Sequence, residues 1–139
     1  MGRPTTPGEE RLRGGAGFTL IELITVVALV GILAAIALPN YQVAIIQSRE
    51  AVLKENLFRM RDLIDQYYVD KGQYPPSLET LVEEGYLRKL PEDPFTRGAD
   101  WTPVYAEPDP DRPGEPPGVY DVKSASELPS LAGTPYNEW

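Results

Sequence analysis

The hydrophobic residues of this chain are concentrated in one continuous run near the N-terminus. Positions 18–38, FTLIELITVVALVGILAAIAL, contain one ionisable side chain, that of Glu22. As a helix this run would extend about 31 Å at 1.5 Å per residue, which is enough to cross the hydrocarbon core of a bilayer. Arg11 and Arg13 immediately precede it and favour a cytoplasmic N-terminus. The pattern therefore predicts a single transmembrane helix.

Two other interpretations of this run are an ordinary secretory signal and a plain membrane anchor. The run is longer than the apolar region of a signal peptide, and Leu38-Pro39-Asn40 stands where a small-x-small cleavage site would lie. A plain anchor fits the length, but it gives no role to Glu22, since a carboxylate inside a membrane helix is costly and is usually functional.

A second helical pattern follows the apolar run. Apolar residues recur at spacings of 4, 3, 4 and 3, and charged residues occupy the other faces. The members of this stripe are Leu53, Leu57, Met60, Ile64 and Tyr67. The stripe predicts a core-facing surface on one long helix over residues 18–71, ended by Gly72. Pro39 lies inside this helix and is expected to bend or loosen it.

The remainder, residues 72–139, is predicted to form a small domain that the second half of the helix completes. Ser77 is expected to cap a short helix that runs through Glu84, with Gly85 as its left-handed stop. Two short strands are predicted at 102–106 and 119–123, joined by an exposed Pro- and acid-rich loop. The expected fold class is α+β, with the short helix and a small antiparallel sheet packed on the C-terminal half of the long helix.

Composition and charge exclude several classes of function. The chain has no cysteine and no histidine, which excludes disulfides, thiolate nucleophiles and histidine-based acid–base or zinc sites. The formal charge is −8, and an acidic chain argues against nucleic-acid binding. An enzyme would need clustered carboxylates of raised pKa, and the spacing shows no such cluster. We expect no enzymatic activity.

The stretch Gly17-Phe18-Thr19-Leu20-Ile21-Glu22-Leu23 resembles the processing motif of type IV pilins and pseudopilins. The resemblance implies that residues 1–17 are a leader, and that a prepilin peptidase cuts between Gly17 and Phe18 and methylates the new N-terminus. Glycine suits this position because a residue without a side chain allows close approach to the backbone. The resemblance also implies that Glu22 pairs with the N-terminal ammonium of a neighbouring subunit during filament assembly, in which Pro39 takes part.

Several later segments resemble the major pseudopilin of type II secretion. They are Asp65-Gln-Tyr67-Tyr68, Lys71-Gly72-Gln73-Tyr74-Pro75, 81–87 (LVEEGYL), Asp93-Pro94-Phe95, Asp100-Trp101, Tyr120-Asp121-Val122 and the ending 133–139 (GTPYNEW). The resemblance implies a homo-oligomeric helical filament with a structural function. The subunit would lie in the bacterial inner membrane with a cytoplasmic N-terminus and a periplasmic C-terminal domain. Its partners would be the inner-membrane assembly platform with its ATPase, and minor pseudopilins.

Two alternative functions stay open at this point. The first is the major subunit of a surface type IV pilus that serves adhesion, motility or DNA uptake, because the N-terminal motif is common to both kinds of filament. The second is a membrane-anchored binding domain that never polymerises, which would keep its leader and would not depend on Glu22.

Calcium is the candidate cofactor that the resemblance implies. Major pseudopilins often bind calcium in a C-terminal loop, and the corresponding region here is 121–131 (DVKSASELPSL). The candidate ligands are Asp121, Ser124, Ser126 and Glu127, with serine and glutamate where the family more often has glycine and aspartate. Hard cations of this kind need six to eight converging oxygens.

Overall fold

The computed structural model describes residues 1–4 and 17–139 and divides into two compact units, Met1–Pro39 and Asn40–Trp139. The elements in chain order are α1 (Leu20–Lys71), α2 (Leu78–Glu83), β1 (Thr102–Tyr105), β2 (Val119–Lys123) and a terminal 3-10 turn (Tyr136–Glu138). The α+β class predicted from the sequence is confirmed. Most of the predicted leader, residues 5–16 with Arg11 and Arg13, lies outside the described residues.

The long helix α1 begins two residues later than predicted and ends at Lys71 as expected. It ends there because Gly72 adopts a left-handed backbone, with φ of 72°, and its N–H donates to the Tyr68 carbonyl at 2.8 Å. Pro39 lies inside the helix and has no N–H to donate to the preceding turn. The bend expected at Pro39 stays a prediction.

The apolar stripe on α1 forms the centre of the core in the unit Asn40–Trp139. Its five members, Leu53, Leu57, Met60, Ile64 and Tyr67, are each at most 3% exposed. They pack in one cluster with residues of α2, β2 and the chain end, among them Leu81, Val119, Val122 and Tyr136. Fully burying one such aliphatic side chain is worth about 1.5–3 kcal/mol. The prediction of a core-facing stripe is therefore confirmed.

The short helix α2 forms where it was predicted, but its cap differs. Ser77 has the extended backbone of an N-cap residue, yet its side chain makes no capping hydrogen bond. The Ser77 hydroxyl instead pairs with the Thr80 hydroxyl at 3.1 Å, so the prediction of a Ser77 side-chain cap was wrong. The helix ends at Glu83, one residue earlier than expected, and Gly85 follows with a left-handed φ of 83°.

The two strands form an antiparallel pair with an irregularity between Val104 and Tyr105. The loop that joins them returns close to the end of α1. A Cβ atom added to Gly118 would lie 2.6 Å from both Cβ and the carbonyl oxygen of Tyr74, so only glycine fits there. This contact is followed by a hydrogen bond from the Val119 N–H to the Pro75 carbonyl at 2.8 Å. Strand β2 is thereby fixed against the segment that follows α1.

Candidate processing and assembly site

The start of α1 is set by Thr19. Its hydroxyl accepts the Glu22 N–H at 3.2 Å, and its carbonyl accepts the Leu23 N–H at 3.1 Å. This is the N-cap arrangement, in which a side-chain oxygen satisfies one of the free N–H groups of the first turn. Because the helix begins directly after Thr19, Gly17 and Phe18 lie outside it.

Gly17 and Phe18 lie outside the helix and are exposed. Phe18 is 85% exposed, and among the described residues nothing lies within 4 Å of the position that a Cβ atom of Gly17 would occupy. A peptidase needs access to the backbone at the bond that it cuts. The 17–18 peptide bond has that accessibility in this unit.

Glu22 lies in the first turn of α1, where the helix dipole favours a negative charge. The large apolar side chains around it, from Leu20 through Leu38, are all more than half exposed. In the described chain, α1 is the one helix long and apolar enough to cross a membrane, with a mean hydropathy of 2.7 over its best 18 residues. A carboxylate at the start of such a surface needs a partner outside this unit or a position at the membrane interface.

Pro39 does not lie near Glu22. The two residues are separated by 17 positions of one helix, or about 26 Å at 1.5 Å per residue. The Gly17–Phe18 bond and Glu22 therefore lie close together at the start of α1, and Pro39 is a separate feature at the end of the apolar run.

The structure gives the four candidate calcium ligands different surroundings. The Asp121 carboxylate accepts the Arg61 guanidinium and the Val122 N–H, each at 2.7 Å. Glu127 is exposed, and its carboxylate takes part in none of the hydrogen bonds or ion pairs of the described residues. Of the two carboxylates in the set, that of Asp121 is thus ion-paired and that of Glu127 is exposed to solvent.

The two serines of the set are already used within the protein. The Ser124 hydroxyl donates to the Asp93 carboxylate and accepts the Ser126 N–H at 3.1 Å. The Ser126 hydroxyl accepts the Leu128 N–H at 3.4 Å. Across residues 1–4 and 17–139, no three His, Cys, Asp or Glu residues converge in a way that could hold a metal. These residues do not fit the six to eight oxygens of a calcium site.

Two functionally placed residues were missed from the sequence. Thr19 could have been found, because Thr19-Leu20-Ile21-Glu22 has the Thr-x-x-Glu spacing that marks a helix start. Asp93 was noted only within the segment Asp93-Pro94-Phe95 that resembles the major pseudopilin, whereas it is 1% exposed and binds Ser124. No local pattern indicates that second role, since the two residues are 31 positions apart.

The start of α1 lies within a segment that matches a known protein family. The family described as "Prokaryotic N-terminal methylation motif" matches residues 12–38. The "Type II secretion system core protein G" of Escherichia coli K12 is 31% identical over 125 residues, covering 78% of this chain and 79% of the relative. The protein of the same name from Pseudomonas aeruginosa is 35% identical over 99 residues, covering 60% of this chain and 70% of the relative.

A shorter match reaches a different kind of protein. The "Fimbrial protein EcpC" of Eikenella corrodens is 46% identical over 59 residues, which is 42% of this chain and 39% of that relative. No solved structure matches the chain significantly.

The exposed apolar helix, the methylation motif at its start and the small α+β unit define a type IV pilin-like precursor. Within that class the matches to core protein G extend far beyond the shared N-terminal motif. The chain belongs to the family of the type II secretion system core protein G, the major pseudopilin.

Proposed function

We propose that this protein is a structural subunit of a periplasmic pseudopilus, which polymerises to drive protein export by type II secretion. The observation that carries the proposal is the match to core protein G over 79% of that relative's length. The apolar surface of α1 supports it, because an uncovered helix face of this length needs lipid or other helices around it. The role is mechanical, and we assign no catalytic residue.

The proposed maturation removes residues 1–17 at the Gly17–Phe18 bond and methylates the amine of Phe18. The accessible backbone at this bond and the onset of helix only at Leu20 support it. Cleavage by a prepilin peptidase on the cytoplasmic side would leave a single-pass inner-membrane subunit with a periplasmic C-terminal domain. The new N-terminus would then lie at the very start of an apolar helix.

In the assembled filament, Glu22 would pair with the N-terminal ammonium of a neighbouring subunit. A carboxylate in a membrane helix is costly, and an opposite charge at the same depth removes much of that cost. The other side chains of the apolar run are uncharged and cannot form such a pair. One charge pair would therefore set the register between neighbouring helices. The assembly platform and minor pseudopilins would supply the site of polymerisation.

The pairing is tested with Glu22→Gln, which removes the charge and keeps the shape. We expect this variant to be cleaved after Gly17, as determined by mass spectrometry of the membrane fraction, but to form no filaments visible by electron microscopy. Thr25→Val is the matched control at nearly the same depth, because its hydroxyl only donates to the Ile21 carbonyl of its own helix at 2.7 Å. Normal filament yield from Glu22→Gln would disprove the pairing.

A surface type IV pilus is the second candidate function, and the match to the fimbrial protein of Eikenella corrodens favours it. That match covers 39% of the relative, whereas the core protein G matches extend to 79%. The non-polymerising membrane anchor predicts an uncleaved leader. Detection of the intact 1–17 segment on the protein isolated from the membrane would support the anchor and contradict both filament proposals.

A further inference from the structure

The C-terminal segment that follows β2 is folded back onto α1 and onto the loop before β1, within the unit Asn40–Trp139. We infer that two carboxylates of the chain itself, those of Glu50 and Asp93, hold this segment in place, so that it needs no divalent cation. This inference is independent of the proposed function, because it concerns how one unit of the protein is stabilised. It assigns a positioning role to two residues outside the candidate calcium set.

Glu50 forms the first of the two attachments. A single oxygen, Oε1, accepts the N–H of Leu131 at 2.8 Å and the hydroxyl of Tyr136 at 2.9 Å. These partners are 81 and 86 positions away in the sequence, so Glu50 joins α1 directly to the end of the chain. Hydrogen bonds to an ionised acceptor are stronger than neutral ones. Tyr136 is 1% exposed, and Glu50 is the acceptor for its hydroxyl.

Asp93 forms the second attachment and is itself 1% exposed. Its Oδ1 accepts the N–H of Phe95 at 2.8 Å and, more weakly, that of Thr96 at 3.4 Å. Its Oδ2 accepts the Ser124 hydroxyl, directly after β2. A buried carboxylate without a cationic partner is stable only when several donors point at it, and these three donors meet that requirement.

The segment between the two attachments is closed by its own backbone. The Ser130 N–H donates to the Thr134 carbonyl at 2.8 Å, and the Tyr136 N–H donates to the Leu128 carbonyl at 3.1 Å. The Phe95 and Tyr136 rings stack with centroids 3.8 Å apart, which connects the region of Asp93 to that of Glu50. The attachments and the stacked pair thus form one continuous contact between the segment and the rest of the unit.

This arrangement already uses several oxygens of the candidate calcium set. Calcium requires six to eight converging oxygens, whereas the Ser124 and Ser126 hydroxyls and the Asp121 carboxylate already take part in hydrogen bonds within the protein. A cation bound at Oδ1 of Asp121 would compete for that atom with Arg61 and with the Val122 N–H.

The test is thermal unfolding of the full mature protein in detergent, followed by the fluorescence of Trp101 and Trp139. The wild type is measured in chelator and in calcium at about 10 mM, roughly 100 times the dissociation constant of a moderately weak extracellular site. A ligand at that ratio would raise the folding equilibrium constant about 100-fold, a melting temperature increase of roughly 10 °C or more. We expect no difference between the two conditions. A calcium-dependent increase of that size would overturn the inference.

The positive part of the inference is tested with Glu50→Ala, Glu50→Gln and the control Glu127→Ala. Glu50→Ala should lower the melting temperature by roughly 10 °C, equally in chelator and in calcium, because two donors lose their acceptor. Glu50→Gln keeps an oxygen acceptor and should recover much of that loss. Glu127→Ala should change nothing. An unchanged melting temperature for Glu50→Ala would overturn the role of Glu50.

A local measurement separates this attachment from general destabilisation. Hydrogen exchange followed by mass spectrometry should show faster exchange in the peptide 128–136 of Glu50→Ala, while peptides of α1 around Ile64 keep their protection at a temperature well below unfolding. Uniform loss of protection would contradict a specific attachment. Asp93→Asn should likewise expose the peptide 124–128; if that variant does not fold, the Glu50 series and the calcium comparison still decide the inference.

Discussion

Two adjacent residues of α1 provide a direct test of the assigned core. Leu57 is 2% exposed and belongs to the buried stripe, whereas its neighbour Phe58 is 67% exposed. Replacing a buried leucine with alanine removes its transfer free energy and leaves a cavity, which together cost about 2–5 kcal/mol. Replacing an exposed side chain usually changes the stability by less than about 0.5 kcal/mol. Leu57→Ala should therefore be far more damaging than Phe58→Ala, although phenylalanine is the larger residue.

The assay is thermal unfolding of the mature protein in detergent, followed by tryptophan fluorescence. For a domain of this size, 1 kcal/mol corresponds to about 4–8 °C, so a loss of about 3 kcal/mol for Leu57→Ala corresponds to a melting temperature lower by roughly 12–24 °C. Phe58→Ala should shift it by less than about 4 °C. Equal shifts, or a larger shift for Phe58→Ala, would show that the helix presents a different face to the domain and would refute the assigned packing.

Two further predictions concern the loop before β2 and the buried tyrosine near the chain end. Gly118→Ala should destabilise the protein by about 1–3 kcal/mol, because the new Cβ atom meets the backbone of Tyr74; an unchanged denaturant midpoint would contradict that contact. Burial and the hydrogen bond to Glu50 raise the pKa of Tyr136 from its ordinary value of 10 to about 12. Between these two pH values the folded protein keeps a proton that the unfolded chain releases. The contribution of Tyr136 to the free energy of unfolding is therefore fully present below pH 10 and is lost as the pH rises through 12. Denaturant unfolding at several pH values should show a smaller fall in the free energy of unfolding between pH 10 and 12 for Tyr136→Phe than for the wild type. Some fall should remain in the variant, because the hydrogen bond to Asp70 also raises the pKa of Tyr86 to about 12. An identical slope in both proteins would contradict the assignment.

The helix α1 and its buried face were predictable because their signals are local. A 4-3 spacing of apolar residues fixes which face of a helix meets the core, whatever the rest of the chain does. Gly72 was predictable as the end of the helix for a similar reason, since a left-handed residue closes the last turn. Ser77 shows the limit of this reasoning. Ser77 does lie directly before α2, as predicted, but its hydroxyl pairs with the Thr80 hydroxyl instead of capping the helix.

The attachments of the C-terminal segment were not predictable from local patterns. In the sequence, Glu50 is one of several charged residues outside the apolar stripe, and Asp93 is part of a segment noted only for its resemblance to the major pseudopilin. Their roles arise only when the fold brings Leu131, Tyr136 and Ser124 to them. The calcium expectation came from a resemblance in the same region, and hydrogen-bond partners rather than residue types decide whether those oxygens are free to bind a cation.

The central claim, a subunit of the type II secretion pseudopilus, is tested most directly in a deletion strain. The strain is complemented with the wild-type gene, with Glu22→Gln or with an empty vector, and its culture-medium proteome and surface pili are compared with those of the parent. We predict that exported enzymes disappear from the medium while surface pili are retained, that the wild-type gene restores export, and that Glu22→Gln does not. Loss of surface pili with intact export would contradict the claim and would make this protein the subunit of a surface pilus.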